Sequence, residues 1–155
     1  MRATLDGMPT TRAATTVPAP PDRAFAVFAD LGAWWPAEYS WSQDALVAIR
    51  IDPRAGGLCS EEGPYGFRCD WGRVLAWEPP ARLRLTWQIG PDRVPQPDPA
   101  RASAVEVRFT ADGAGGTRVE VDHGGFERHG AGGAEYAAGM EQGWAHLLER
   151  FAAVV

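Results

Sequence analysis

From Ala45 to about Asp122 the apolar residues recur at every second position, and from Gly133 onward they recur every three to four. That change of period constrains the fold more than any other feature. Val47, Ile49 and Ile51 alternate with Ala48, Arg50 and Asp52. Leu83, Leu85, Trp87 and Ile89 alternate with Arg82, Arg84, Thr86 and Gln88. Val105, Val107 and Phe109, then Val119 and Val121, repeat the pattern. Successive side chains of a strand point to opposite faces, so this is an antiparallel sheet with one dry face and one wet face. Pro53 to Gly57, Gly63 to Gly66, Pro79-Pro80 and Asp112 to Gly116 supply the turns. Beyond Gly133, Tyr136, Met140, Trp144, Leu147, Leu148, Phe151 and Val155 form one stripe of a helix about twenty residues and roughly 30 Å long. Such a helix spans the sheet, and a strongly bent sheet cannot touch it everywhere. Where they part, a cavity opens.

Ahead of the sheet, Thr11 to Val17 carries β-branched residues fit for a first strand, stopped by Pro18, Pro20 and Pro21. Pro21 and Asp22 suit the first turn of a helix whose Ala24, Phe25, Phe28 and Leu31 share a face. Residues 1–10 read as a loose tail and 11–155 as one α+β domain, in the order strand, helix, about six strands, long helix. A length of 155 residues is near that of one domain, and such a chain buries roughly two-thirds of its unfolded surface. The Gly90 to Ser103 stretch, with four prolines, is longer than a hairpin needs and suits equally a lid or rim or a plain disordered excursion.

The formal net charge is −5, and every one of the fifteen basic residues is Arg. These are scattered rather than striped, which argues against nucleic-acid binding. No run approaches the roughly 18 apolar residues that cross a bilayer, and the N-terminus lacks the apolar core of a signal peptide, so membrane insertion is not expected and the cytoplasm is the default. Two Cys make neither a disulfide framework nor a zinc pattern. Cys59 and Cys69 flank a turn and could face each other, though two reduced thiols are the favoured reading. A homodimer remains open.

The seven Trp are the compositional outlier. Trp34, Trp35, Tyr39 and Trp41 bunch in one stretch, and Tyr65, Phe67 and Trp71 in another. As a set they suit the mouth and wall of an apolar site. Gly139 and Gly143 lie inside the long helix, where each glycine costs up to about 1 kcal/mol against alanine. Either a ligand needs the room, or a neighbouring backbone packs closely there.

Chemistry is harder to find. There is no G-x-S-x-G elbow, no H-E-x-x-H and no phosphate-binding loop. Asp122 and His123 are adjacent on a strand and leave it on opposite faces, so they form no dyad. His123 shares the parity of Val119 and Val121 and is expected to point inward, as a polar handle or base or, the favoured reading, as a satisfied histidine at the end of the sheet. His129 is expected in solvent, and His146, nearly opposite Trp144 around the helix, on the wet face. Glu38, Asp44 and Asp70 read as surface groups. No metal or other cofactor is implied.

Ala24-Phe25-Ala26-Val27-Phe28 followed by Trp34-Trp35-Pro36 resembles the entry of bacterial START-like domains of the SRPBCC superfamily. Gly72 and Val74 before Glu78-Pro79-Pro80, Leu83 to Trp87, Val105 to Phe109, Gly116 to His123 and the closing Gly139 to Phe151 continue the likeness. More narrowly, the chain resembles the branch named after activators of the ninety-kilodalton heat-shock ATPase. The resemblance implies a helix-grip (START/Bet v-like) fold, a curved antiparallel sheet wrapped around the long C-terminal helix. It also implies a cavity for lipids, polyketides or other apolar molecules.

The pattern is also similar to the self-sacrifice resistance proteins of enediyne producers, and in that reading Gly113, in the Asp112-Gly113 turn, is the cleavage position. The leading expectation is non-catalytic binding or sequestration of an apolar or aromatic small molecule. The expected ligand-binding residues are Trp34, Trp35, Trp41, Phe67, Trp71, Trp87, His123, Met140 and Trp144. Self-sacrifice, a polyketide cyclase-like or hydrolytic enzyme, and a chaperone ATPase co-regulator are the alternatives.

Overall fold

A computed structural model describes residues 10–155, so the expected tail lies almost wholly outside the described residues. Seven strands form one antiparallel sheet: β1 (Thr11–Val17), β2 (Ala48–Ile51), β3 (Leu58–Glu62), β4 (Arg68–Glu78), β5 (Arg82–Trp87), β6 (Ser103–Ala111) and β7 (Thr117–Gly124). The order across the sheet is β1-β7-β6-β5-β4-β3-β2, so consecutive strands from β2 to β7 are neighbours and β1 closes the far edge. Two α-helices complete the fold, α1 (Pro21–Ala29) and α2 (Gly133–Ala152).

The two-residue period becomes two physically distinct faces. Leu83, Leu85, Trp87, Val105, Val107, Phe109, Val119, Val121 and His123 are all buried on the concave side. On the other side Arg82 and Arg108 both pair with Glu106, and Arg108 and Arg12 both pair with Asp122, across β5, β6, β7 and β1. Pairs at a surface are screened by water and contribute little, so the ladder marks register more than it stabilises. The register of β3 on β4 shifts at Cys59/Ser60, and that of β4 on β5 between Val74 and Ala76. Such bulges bend a strand, and they fall on the eleven-residue β4 that serves both neighbours.

In α1, Ala24, Phe25 and Phe28 are buried against the sheet as their spacing requires. The helix stops at Ala29, and Leu31, expected on it, is carried instead by a short 3₁₀ turn before Trp34. Phe28 then lies 5.2 Å from both Trp34 and Phe151 and 5.6 Å from Phe109, ring centroid to centroid. Trp34 meets Phe151 at 5.8 Å, and its indole N–H donates to the carbonyls of Val27 and Phe28. Between α1 and the end of α2 the interior is filled by these rings.

α2 packs mainly along β1, where the Thr11 hydroxyl donates to the Ala137 carbonyl. Ala137, Trp144, Leu147, Leu148 and Phe151 are buried, whereas Tyr136 and Met140 are only half-buried. The two cysteines do not face each other. Cys59 opposes Gly72 and Cys69 opposes Glu61, and both are free thiols. Burial, helped by the Asp52 charge, pushes the Cys59 thiol up to about 12. Burial and then the charges of Glu61 and Asp70 also raise Cys69, so neither is a ready nucleophile.

Candidate functional site

Between α2, the end of β5 and the segment after α1, a cleft of about 540 Å³ opens. That volume falls in the range of small-molecule sites. Trp35 and Tyr39 line it from the segment after α1, Trp87 and Ile89 from the end of β5, and Tyr136, Gly139, Met140 and Gly143 from α2. Gly90, Pro91 and Arg93 form one rim, and Gln142 and His146 the other.

The two helix glycines open this space directly. A Cβ added at Gly139 would meet nothing within 4 Å, and one at Gly143 would meet only the flexible end of Met140, at 3.9 Å. No backbone approaches either position, so close packing does not account for them.

The floor is aromatic and layered. Trp71 stacks on Trp35 with centroids 6.3 Å apart and planes 21° from parallel. It meets Trp87 edge-on at 5.7 Å. Among the described residues, the buried indole N–H groups of Trp35 and Trp71 have no acceptor. Tyr136 ties the wall to the floor. Its hydroxyl donates to the Ile89 carbonyl at 2.6 Å and accepts from the Trp87 indole N–H at 2.9 Å. Burial pushes this phenol up to about 12, against the opposing influence of the Trp87 bond and the Arg93 charge, so it stays protonated.

Behind the floor runs a polar chain with a determined direction. The Trp144 indole N–H donates to His123 Nδ1 at 3.0 Å, so His123 carries its proton on Nε2 and donates to the Ser103 hydroxyl at 2.8 Å. That hydroxyl then donates to His129 Nε2 at 2.8 Å, which also accepts from the Ser103 backbone N–H. Burial, with the His129 charge adding, lowers His123 to about 3, and burial lowers His129 as well. Phe126 covers His123 at 4.2 Å between ring centroids.

The Gly90–Pro97 loop is latched from outside. The Trp41 indole donates to the Arg93 carbonyl at 2.7 Å, and the Arg93 guanidinium donates to the Glu38 carbonyl at 3.3 Å. The buried Glu61 carboxylate fixes this latch by accepting the backbone N–H groups of Trp41 and Ser42. The far side of the loop bounds a second, more polar groove of about 810 Å³, lined by Trp41, Phe67, Cys69, Gln88, Pro95 and Pro97 among others.

The residues singled out from sequence therefore separate into groups. Trp35, Trp87 and Met140 line the cleft. Trp71, Trp144 and His123 stand behind its wall, and His123, although inward as expected, is sealed from it. Trp34 belongs to the ring-filled interior beside α1, because its N–H is already bonded to the α1 backbone. Trp41 and Phe67 line the second groove. The His146 side chain stays 40% exposed, yet it also lines the cleft, beside Tyr136, Met140 and Leu147 of the stripe. His129 is not free in solvent but bonded to Ser103.

Sequence reasoning missed Arg93, Tyr136 and His146 as site residues. A signal existed for two of them: Tyr136, Gly139, Gly143 and His146 are spaced three, four and three apart, a helical stripe of their own. Gly113 lies in the β6–β7 turn at φ +84°. Ser103 is at the cleft end of the same hairpin, about 30 Å away by the rise of a strand. Among the described residues, no three His, Cys, Asp or Glu gather as a metal site would require, and no helix is long and apolar enough to cross a membrane.

A curled seven-stranded sheet holding a long helix over an aromatic cleft defines a helix-grip domain of the SRPBCC class. Over residues 18–155 the sequence matches the model of the family described as "Activator of Hsp90 ATPase homolog 1-like protein", and the chain belongs to that family. Among solved structures it is similar to Txn09, an anthrahydroquino-gamma-pyrone synthase complexed with SUM, at 35% identity and a TM-score of 0.67, over 96% of this chain and 97% of that one. It is also similar to CalC, a self-sacrificing resistance protein from Micromonospora echinospora, at 27% identity and a TM-score of 0.65, covering 94% and 92% of the two chains. MLL2253 from Mesorhizobium loti, 20% identical with a TM-score of 0.66 over 94% and 95% of the two chains, shares the fold. A comparison with curated proteins finds no match.

Proposed function

We propose that this protein binds a planar aromatic molecule of polyketide type in the cleft beside α2, acting in the cytoplasm as a binder rather than as a catalyst. The observation that carries this reading is the pair of helix glycines facing a floor of indoles with open space between them. A flat ring system against Trp35 and Trp87, with Met140 adapting to its outline, would bury apolar surface at about 25 cal/mol per Å² before the costs of association. The similarity to a synthase named for an anthrahydroquino-gamma-pyrone supports the same ligand class.

The 35% identity to the synthase favours a second reading, ring closure on a polyketide. There the protonated Tyr136 hydroxyl and His146 are the acid–base candidates, because His123 is sealed behind the wall. Self-cleavage at Gly113 would need a ligand seated well outside the cleft. A chaperone co-regulator role would engage the surface and leave the cleft idle.

Titration of the purified protein with 1,8-dihydroxyanthraquinone, followed by tryptophan fluorescence, tests the binding reading. Saturable quenching is expected, and Gly139→Trp, which fills the space opposite the floor, should abolish it. A flat response in the parent protein would overturn the proposal. Recovery of the probe unchanged would favour the binder over the enzyme.

A further inference from the structure

We propose that Arg93 reads an anionic oxygen on the ligand, a carboxylate or an ionised phenol or enol carried by the ring system. This deepens the cleft reading above and rests on it.

The charge around the cleft is one-sided. Its lining includes no Asp and no Glu, Tyr136 stays neutral, and Arg93 is the one side chain there with a permanent charge. A neutral apolar ligand gains nothing from that arrangement, whereas an anion meets a cation with no competing carboxylate on the walls.

Arg93 is also held in place at a conformational cost. Its φ is +62°, a left-handed backbone that side-chain-bearing residues rarely adopt and that persists only where the surroundings impose it. The surroundings do impose it. The Arg93 N–H donates to the Gly90 carbonyl at 2.9 Å, the Trp41 indole holds the Arg93 carbonyl, and the buried Glu61 holds Trp41. Glycine would adopt this backbone without strain. An arginine stands there instead.

Its head group is nearly uncommitted. The ladder arginines Arg12, Arg82 and Arg108 are each ion-paired. Among the described residues Arg93 has no ion pair, and its guanidinium, which carries five N–H donors, makes a single long bond to the Glu38 carbonyl. Exposed arginines are often merely solvated, but this one lines the cleft, and its charge is felt at the Tyr136 hydroxyl. A planar fork beside stacked indoles fits oxygens that lie in the plane of an aromatic ring.

The test uses the full chain and three probes with one ring skeleton: anthraquinone-2-carboxylate, 1,2-dihydroxyanthraquinone at mildly alkaline pH, and neutral 2-methylanthraquinone. An anionic probe should bind roughly tenfold tighter than the neutral one, the scale of a charge-assisted bond at a partly exposed site, and the advantage should shrink with added salt. Whichever anion shows the advantage names the group. Arg93→Gln should bring the anionic probes down to the affinity of the neutral one, and Arg93→Lys, which keeps the charge but not the fork, should retain part of the preference. Equal binding of charged and neutral probes, or a preference that survives Arg93→Gln, would overturn the assignment and leave the cleft reading standing. Failure of all three probes to bind would bring down both.

Discussion

The two halves of α2 lie on the same sheet and do opposite things. From Trp144 to Phe151 the helix presents Trp144, Leu147, Leu148 and Phe151, all buried, to a body of rings that includes Phe28, Trp34 and Phe109. From Tyr136 to Gly143 it presents a half-buried tyrosine, a half-buried methionine and two glycines to open space. Both halves are regular α-helix, so secondary structure does not distinguish a filled core from a binding cleft. Side-chain volume on the face toward the sheet does. The filled half packs by side-chain bulk, whereas the other half is tied to the sheet by polar bonds, Thr11 to Ala137 and Tyr136 to Trp87 and Ile89, with open space beside them.

Removing bulk from the filled half should have the largest effect. Phe151→Ala is expected to destabilise the fold by about 3–5 kcal/mol, as for other buried aromatic truncations, measured by urea denaturation. A loss under 1 kcal/mol would mean that end is not packed as described.

Acid should act next, through the polar chain behind the cleft. His123 is lowered to about 3 when folded and titrates near 6.5 when unfolded, so the unfolded state takes up the proton first. Stability is therefore full above about pH 6.5 and is lost as pH falls toward the folded value. Between pH 7 and 5 this one histidine should withdraw about 2 kcal/mol. His123→Asn should flatten that part of the profile, and an unchanged slope would point to other groups.

The smallest effect has the opposite sign. Gly139→Ala should raise stability by up to about 1 kcal/mol, because the helix gains and the new methyl meets nothing. A fall in melting temperature would show that the two halves of α2 are packed alike after all.

The fold was legible because it depends on periodicity. Alternation from Ala45 to Asp122 gave the strands, most of whose inward residues are buried, and the stripe after Gly133 gave the helix. Val47, expected inward, is 66% exposed because β2 begins only at Ala48, and Thr86 and Gln88, expected outward, are buried under the neighbouring loop. The site was less legible, because which indole faces a cleft depends on tertiary contacts. Trp34 and Trp35 are neighbours in sequence, yet one bonds to the α1 backbone while the other lines the cleft. Trp41 was grouped with them by proximity, but its partners Glu61 and Arg93 are 20 and 52 residues away. Arg93 sits in a proline-rich loop with no period to read. His146 is half wet and half in the cleft, a division that its angle to Trp144 around the helix does not reveal.

The indoles form a continuous path through the interior. Trp34 to Trp35, Trp35 to Trp71, Trp71 to Trp87 and Trp87 to Trp144 are separated by 6.1, 6.3, 5.7 and 5.5 Å between ring centroids. At such spacings an absorbed photon migrates among the rings before it is emitted. A chromophore seated against Trp35 or Trp87 would thus drain light harvested by all five, so the protein carries a built-in optical antenna for whatever occupies its cleft.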